Sequence, residues 1–589
     1  MKSICRLYAN KIQLVSICLM FMFLSYGCKN IDRKVLDENR EALKNHVVMF
    51  DGDGYPLDPT GNQDCEDRKN NTQIKYCNGE FSYILPFRDL TPEDYRRHIS
   101  EIIKKAKKKK KLLFFFHGGL NTQIGSIKRV VESWPDGKND AIPLYKQILE
   151  GSDEYFPIFV NWHSSLRSSY TDHLLSIRQG EKWGWPIGWL TAPIVFAIDV
   201  GRSILRTPLV WGGMVFNDLK TVPLFNSKSS GSNLLAKELI CRTQQKISNE
   251  AFEDCNRYFE FTKPPLCPFG SRSEPNPKKY TPDFVMPSNV ADHSPVFPIV
   301  GEDDRRCTEM NIAFINYILT FPTKLAISPI LDTFGKSAWD NMLRRVQLLY
   351  QVQVDEEFHL DSDLYQTQYN DATVQRSFKT DVEANGGLLI FFRMLAEAIN
   401  DPTEEGNWEI TWVAHSAGTL ILNEAIRRFG LIEDETKRLP FNRIVYMAAA
   451  STFRDIEMSV YPYLAENPKT KFYHLMLHAR AEEGETIWKY VDLSPRGSLL
   501  VWIDNFLSNP LTHMERTAGR YDNFFLNYHS IPKEIRHQIY IRVFSDGDKV
   551  SRANPQKHGE FTSNFKFWEE SCWHSISKDV QMNCVDRNE

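Results

Sequence analysis

The stretch VAHSAG, residues 413–418, places Ser416 directly after an apolar run that includes Ile410 and Trp412. A strand that turns sharply into a helix can hold one serine in a strained backbone conformation with its hydroxyl exposed above a sheet. The residues two before and two after must then be small, because strand and helix pass close together. Ala414 and Gly418 meet that condition, with alanine where the usual G-x-S-x-G pattern carries glycine. The start of a helix just beyond Ser416 favours a developing negative charge there. The chemistry implied is nucleophilic attack on an acyl carbonyl.

Such a serine needs a base, an acid and donors for the oxyanion. HGGL, residues 117–120, closes an earlier apolar run. Glycines at such a place let backbone N–H groups turn towards an oxyanion, so the amides of Gly119 or Leu120, together with that of Ala417, are the candidate donors. His117 reads as a loop-bonded structural residue. His558, in KHGEF, follows the last strand-like segment and is the candidate base, with His574 as fallback. Two arguments compete for the acid. Strand order points to the segment RAEEGE and to Glu482 ahead of Glu483, while the look of SDGDKV points to Asp546 or Asp548. Glu482 takes precedence on strand order, and Asp455 comes third.

These pieces demand a frame of alternating strands and helices. LLFFFHGGL (112–120), YFPIFVNW (155–162), EITWVAHS (409–416), FNRIVYMAAA (441–450), KFYHLMLHA (471–479) and QIYIRVFS (538–545) read as buried strands. Helical segments are expected over 91–110, with Thr91 as N-cap and Pro92 in the first turn, over 386–401, and directly after Ser416. Short apolar strands separated by helices predict an α/β fold with a mostly parallel, doubly wound sheet. The basic run Lys104–Lys111 reads as the solvated end of the first of these helices, with contact to an anionic membrane as the alternative.

In this order, HGGLN, AHSAG and HGEF resemble the α/β-hydrolase superfamily, in an exported, lipoprotein-like esterase or lipase form. The resemblance covers about residues 100–165 and 385–570 of the 589. It implies a Ser–acid–His triad and a serine hydrolase that cleaves an ester, lipid esters included, through an acyl-enzyme on Ser416. Two other readings compete: a non-catalytic envelope protein that keeps the fold for binding, and a serine peptidase or acyltransferase using the same triad.

The division expected is a signal over 1–28, a tether and disulfide loop over 29–90, a first core part over 91–165, an insertion or lid with helical and irregular structure over 166–385, and a second core part over 386–589. Lys2, Arg6 and Lys11 precede the apolar stretch 12–24, and Cys28 follows Gly27. That is the build of a secretory signal, too short for a membrane span. It resembles a bacterial lipoprotein signal, which implies export to the cell envelope and membrane attachment through a lipid on Cys28, with an uncleaved anchor as the alternative reading. Eight of the 11 cysteines lie beyond it; Cys65 with Cys77 and Cys572 with Cys584 are natural local pairs. Asp51 and Asp53 open like a calcium loop, but Tyr55 and Pro56 break the pattern, so a disulfide-closed loop is expected. The net charge of −4 gives no reason to expect nucleic acid. No metal or organic cofactor is called for. The aromatic, apolar segment 183–198 and its continuation read either as a buried helix pair or as an acyl-binding lid or membrane-dipping surface.

Overall fold

The computed structural model describes residues 33–60, 87–131, 142–221, 272–274, 284–286, 306–308, 313–351, 386–485, 494–544, 555–574 and Cys584, with short omissions inside these ranges. The elements that matter for the site are, in chain order, β1 (Val47–Phe50), β2 (Pro56–Leu57), α1 (Pro92–Lys109), β3 (Lys111–Phe116), β4 (Phe156–Asn161), α2 (Leu166–Leu175), α3 (Ile187–Thr221), β5 (Phe284–Met286), α4 (Ala313–Gln351), α5 (Gly387–Ile399), β6 (Glu409–His415), α6 (Gly418–Ala425), β7 (Arg443–Met447), β8 (Lys471–Leu477), α7 (Ala479–Gly484) and β9 (Ile539–Phe544).

The strands form one nine-stranded sheet in the order β2-β1-β4-β3-β6-β7-β8-β9-β5. The seven inner strands run parallel, and β2 and β5 pair antiparallel at the two edges. Strand composition explains the arrangement. KLLFFF, FPIFVN and VVMF are apolar on both faces, so they are stable only with helices above and below. Aromatic stacking reinforces the centre: the rings of Phe114 and Trp412 lie 4.5 Å apart, and those of Trp412 and Phe441 4.4 Å apart. The chain is therefore an α/β protein with a mixed, mostly parallel sheet and flanking helices, as its alternation of segments predicts.

The start and end of α1 follow local signals. Thr91 accepts a hydrogen bond from the amide of Asp94, Pro92 opens the helix, and Lys107, Lys108 and Lys109 close it. The basic run from Lys104 to Lys109 fills the last turns of this helix, where cations complement the negative end of the macrodipole, while Lys110 follows the helix and Lys111 opens β3.

The expected segment boundaries need correction at two places. The stretch 29–90, read as a tether and loop, contributes β1 and β2 to one edge of the sheet, and all four residues of β1 are buried. Four apolar residues among polar neighbours are too few for periodicity to reveal. The insertion 166–385 also enters the core: β5 closes the other sheet edge, and α4 packs Met342, Val346, Leu349 and Tyr350 into the main hydrophobic cluster. Asp51 accepts from the amides of Asp53 and Tyr55 at 2.9 and 2.8 Å, an Asx turn before β2. Cys572 and Cys584 form the expected disulfide. The signal region, the Cys65–Cys77 pair and the four cysteines between 241 and 307 lie outside the described residues or side chains.

Candidate active site

Ser416 stands on the turn between β6 and α6 with φ +53°, in the left-handed region that non-glycine residues seldom adopt. The turn is over-determined. The Ser416 amide donates to Met447 of β7 at 2.9 Å, and its carbonyl accepts from the amides of Thr419 and Ala450 and from the Thr419 hydroxyl. Such anchoring is what keeps a residue in a conformation costing about 1–3 kcal/mol. Gly418, one of the two small residues expected beside the serine, serves packing. A Cβ on Gly418 would drive into the carbonyl of Phe116 at the end of β3, and one on Gly118 would lie 2.8 Å from Cβ of Ser416. The two glycine-bearing turns are thus in close contact. Gly418→Ala should cost about 3 kcal/mol or more, because backbone rather than a flexible side chain blocks the methyl group. The expected result is a large drop in thermal midpoint or loss of soluble protein, and a midpoint within about a degree or two of wild type would refute the close packing.

His558 reaches the serine. Its Nε2 lies 2.9 Å from Oγ of Ser416, and both residues are buried. The loop carrying His558 is held at two backbone points. Glu485 accepts from the His558 amide at 3.0 Å, and His415 Nε2 donates to the His558 carbonyl at 3.0 Å. A carbonyl partner requires the proton of His415 on Nε2, leaving its buried Nδ1 bare. Burial depresses the basicity of His415 well below that of a free histidine, so this residue stays neutral. Burial also lowers His558 to about 4. A neutral imidazole whose Nε2 accepts from the serine hydroxyl carries its proton on Nδ1. That Nδ1 is buried and has no hydrogen-bond partner among the described residues.

Glu482, the acid expected from strand order, does not supply that partner. It sits on α7, just after β8, and is buried, but its carboxylate accepts from the Ser498 hydroxyl, and its other oxygen is unpaired among the described residues. The amide of Ser498 also donates to the Glu482 carbonyl at 2.7 Å. Strand order located a loop beside the site, but the first turn of α7 aims this side chain at the segment beginning at Ser498. Glu483 faces Arg520 at 3.6 Å, and Asp455 caps its own helix through Thr452. Asp546 and Asp548 and the side chain of His574 lie outside the described residues.

Burial raises the Glu482 carboxyl from 4.5 to about 8. Between those values the folded protein holds a proton that the unfolded chain has released, so stability falls as pH rises across the window. Wild type should therefore lose more thermal stability than Glu482→Gln between about pH 5 and pH 8. Parallel dependence of the two melting temperatures on pH over that range would show the carboxyl to be unperturbed.

The oxyanion side is partly as expected. The Gly118 carbonyl accepts from Asn121 Nδ2 at 2.9 Å, from Ser164 Oγ at 3.2 Å and from His117 Nδ1 at 2.8 Å. In a planar trans peptide the next N–H, that of Gly119, points the opposite way. Neither the Gly119 amide nor the Ala417 amide donates to any described residue. The two residues are neighbours, since a Cβ on Gly119 would lie 3.3 Å from that of Ala417. Leu120 is a correction: with φ +67° its amide turns to the Ser164 carbonyl at 2.9 Å and is already used. His117 is the structural residue expected, because its Nε2 accepts from the Trp162 amide at 3.1 Å.

Three contributors escape a reading of the sequence. His415 lies inside the serine motif, but nothing about its type announces a bond to a distant carbonyl. Glu485 lies in the segment singled out for the acid and acts on a backbone amide instead. Met342 of α4 lies against Gly119, far away along the chain, and no periodic signal links the two. No group of histidine, cysteine and acidic side chains suited to a metal ion occurs among the described residues. No family model, curated protein or solved structure matches this chain.

Proposed function

We propose that the chain is a serine hydrolase of α/β-hydrolase type that cleaves a carboxylic ester through an acyl-enzyme on Ser416. One observation carries this reading: a serine held at φ +53° with its hydroxyl 2.9 Å from His558 Nε2, beside the uncommitted amides of Gly119 and Ala417.

In the proposed reaction His558 Nε2 takes the hydroxyl proton as Oγ bonds to the acyl carbon. The carbonyl oxygen becomes an oxyanion and turns to the Gly119 and Ala417 amides. The C–O bond of the ester then breaks, and the alcohol leaves with the proton from His558. Water, deprotonated by the same imidazole, releases the acid and restores Ser416. His415 and Glu485 hold the base by its backbone and do not touch substrate. The acid that should face Nδ1 of His558 is assigned to the SDGDKV segment, as Asp546 or Asp548, because Glu482, Glu483 and Asp455 have other partners.

The packed helices α3 and α4 carry many apolar side chains, and α4 reaches Gly119 through Met342, which favours hydrophobic esters, lipid esters among them. Export, with attachment through a lipid on Cys28, fits that substrate class and is part of the proposal. A fluorophosphonate probe tests the reading. It should add one phosphonyl group, found by peptide mass spectrometry on Ser416. Failure to label the folded protein, at any detergent or lipid concentration, would favour a binding protein that only keeps the fold.

A further inference from the structure

The helix α3 is built inside out for a water-soluble surface. Four polar side chains in its middle turn inward. Asp199 accepts from Ser337 Oγ at 2.8 Å, Arg202 donates to the Asp332 carbonyl at 3.1 Å, Ser203 donates to the Pro329 carbonyl at 2.6 Å, and Arg206 pairs with Asp332. All four contacts are to α4. The outward face carries Trp189, Leu190, Ile194, Leu205, Leu209 and Trp211, each 40% to 84% exposed. Between residues 186 and 213 every exposed position is apolar, proline or glycine. The segment Ile187–Val215 is long and apolar enough to cross a membrane by length and composition.

We propose that this face of α3 lies flat in the surface of a lipid bilayer. Two observations choose lipid over a protein partner or a second copy. A protein interface carries about one hydrogen bond per 100–200 Å² and a polar rim. The outward face offers few: the side-chain donors among its exposed residues are the indole N–H groups of Trp189 and Trp211, and Trp211 Nε1 is turned to the Leu325 carbonyl at 2.7 Å. Second, the described charges of the helix, Asp199, Arg202 and Arg206, are withdrawn to its protein side and paired there, as a hydrocarbon environment requires. The helix lies in the plane and does not cross, because α4, α2 and the segment Ile503–Leu507 pack beside it, and α4 continues into the core of the sheet domain. An in-plane helix of this kind buries its apolar side about 5–10 Å into the boundary between headgroups and acyl chains. Tryptophan at both ends of the exposed stretch suits that depth.

Lipid contact through α3 does not depend on catalysis. To test it, the full-length chain is made with p-benzoyl-phenylalanine in place of Leu205 or Leu209, which are 84% and 74% exposed. Glu457, an exposed residue on a different helix, serves as the control position. Each protein is irradiated with phosphatidylcholine vesicles and analysed by mass. Lipid adducts at 205 and 209 should exceed those at 457 by roughly tenfold, since only the former sit among acyl chains. The same contrast should appear in a Ser416→Ala background, which separates this proposal from the hydrolase reading. Crosslinks to a second copy, no adduct at 205 and 209, or equal lipid adducts at all three positions would each overturn it.

Discussion

Ser416→Ala should abolish both phosphonyl labelling and ester turnover, with kcat falling roughly 10⁴- to 10⁶-fold. The size follows from what the hydroxyl does. In the proposed reaction it is the atom that bonds covalently to the acyl group, and it is placed against the base at 2.9 Å. The structural cost should be small. The bonds that hold the turn run through the backbone of Ser416 to Met447, Thr419 and Ala450, and alanine keeps them. The thermal midpoint is therefore expected to stay within a few degrees of wild type. His558→Gln should lose turnover to a similar degree. The double variant should be little worse than either single one, because the pair acts as a unit. Additive losses would show that serine and histidine work separately, and residual labelling in Ser416→Ala would place the nucleophile elsewhere.

The second large effect concerns the acid. Of Asp546→Asn and Asp548→Asn, one should lower kcat by about 10⁴, the loss expected when the imidazole is no longer held in its working tautomer. The other should stay within a few-fold of wild type. Glu482→Gln should also keep most of its activity, since that carboxylate is bonded to Ser498 and not to the base. Nδ1 of His558 is the deciding atom. It must carry a proton for Nε2 to accept from the serine, and a buried N–H without a partner costs about 1–3 kcal/mol. An acid there both relieves that cost and stabilises the imidazolium that forms. A 10⁴-fold loss in Glu482→Gln, with both aspartate variants active, would return the role to α7 and reverse the assignment.

Much of the frame was legible because its signals are local. Each of the six strands expected from apolar runs is present, with ends shifted by up to four residues, since a strand stops where its ladder of hydrogen bonds stops and not where its apolar run does. Thr91 and Pro92 marked the start of α1 through hydrogen-bonding and dihedral preferences that act within one turn. Strand β1 was missed, because four apolar residues carry no period. The helix α3 was hard to read for the opposite reason. Pro193 and Pro208 break the pattern of a span, yet the helix continues through both, held by α4 along its inner side.

The sequence by itself determined which side chains could do chemistry: a serine between small residues, a histidine after the last strand, and paired glycines after an early one. These depend on residue type and on order along the chain, and the chain carries both. Only the tertiary structure decided which of them meet. It brought His558 across 142 positions to Ser416, spent the Leu120 amide on Ser164, turned Glu482 towards Ser498 and set the apolar face of α3 outward. The direction of a side chain or an amide depends on small backbone rotations and on neighbours far away in sequence, and no local pattern encodes either.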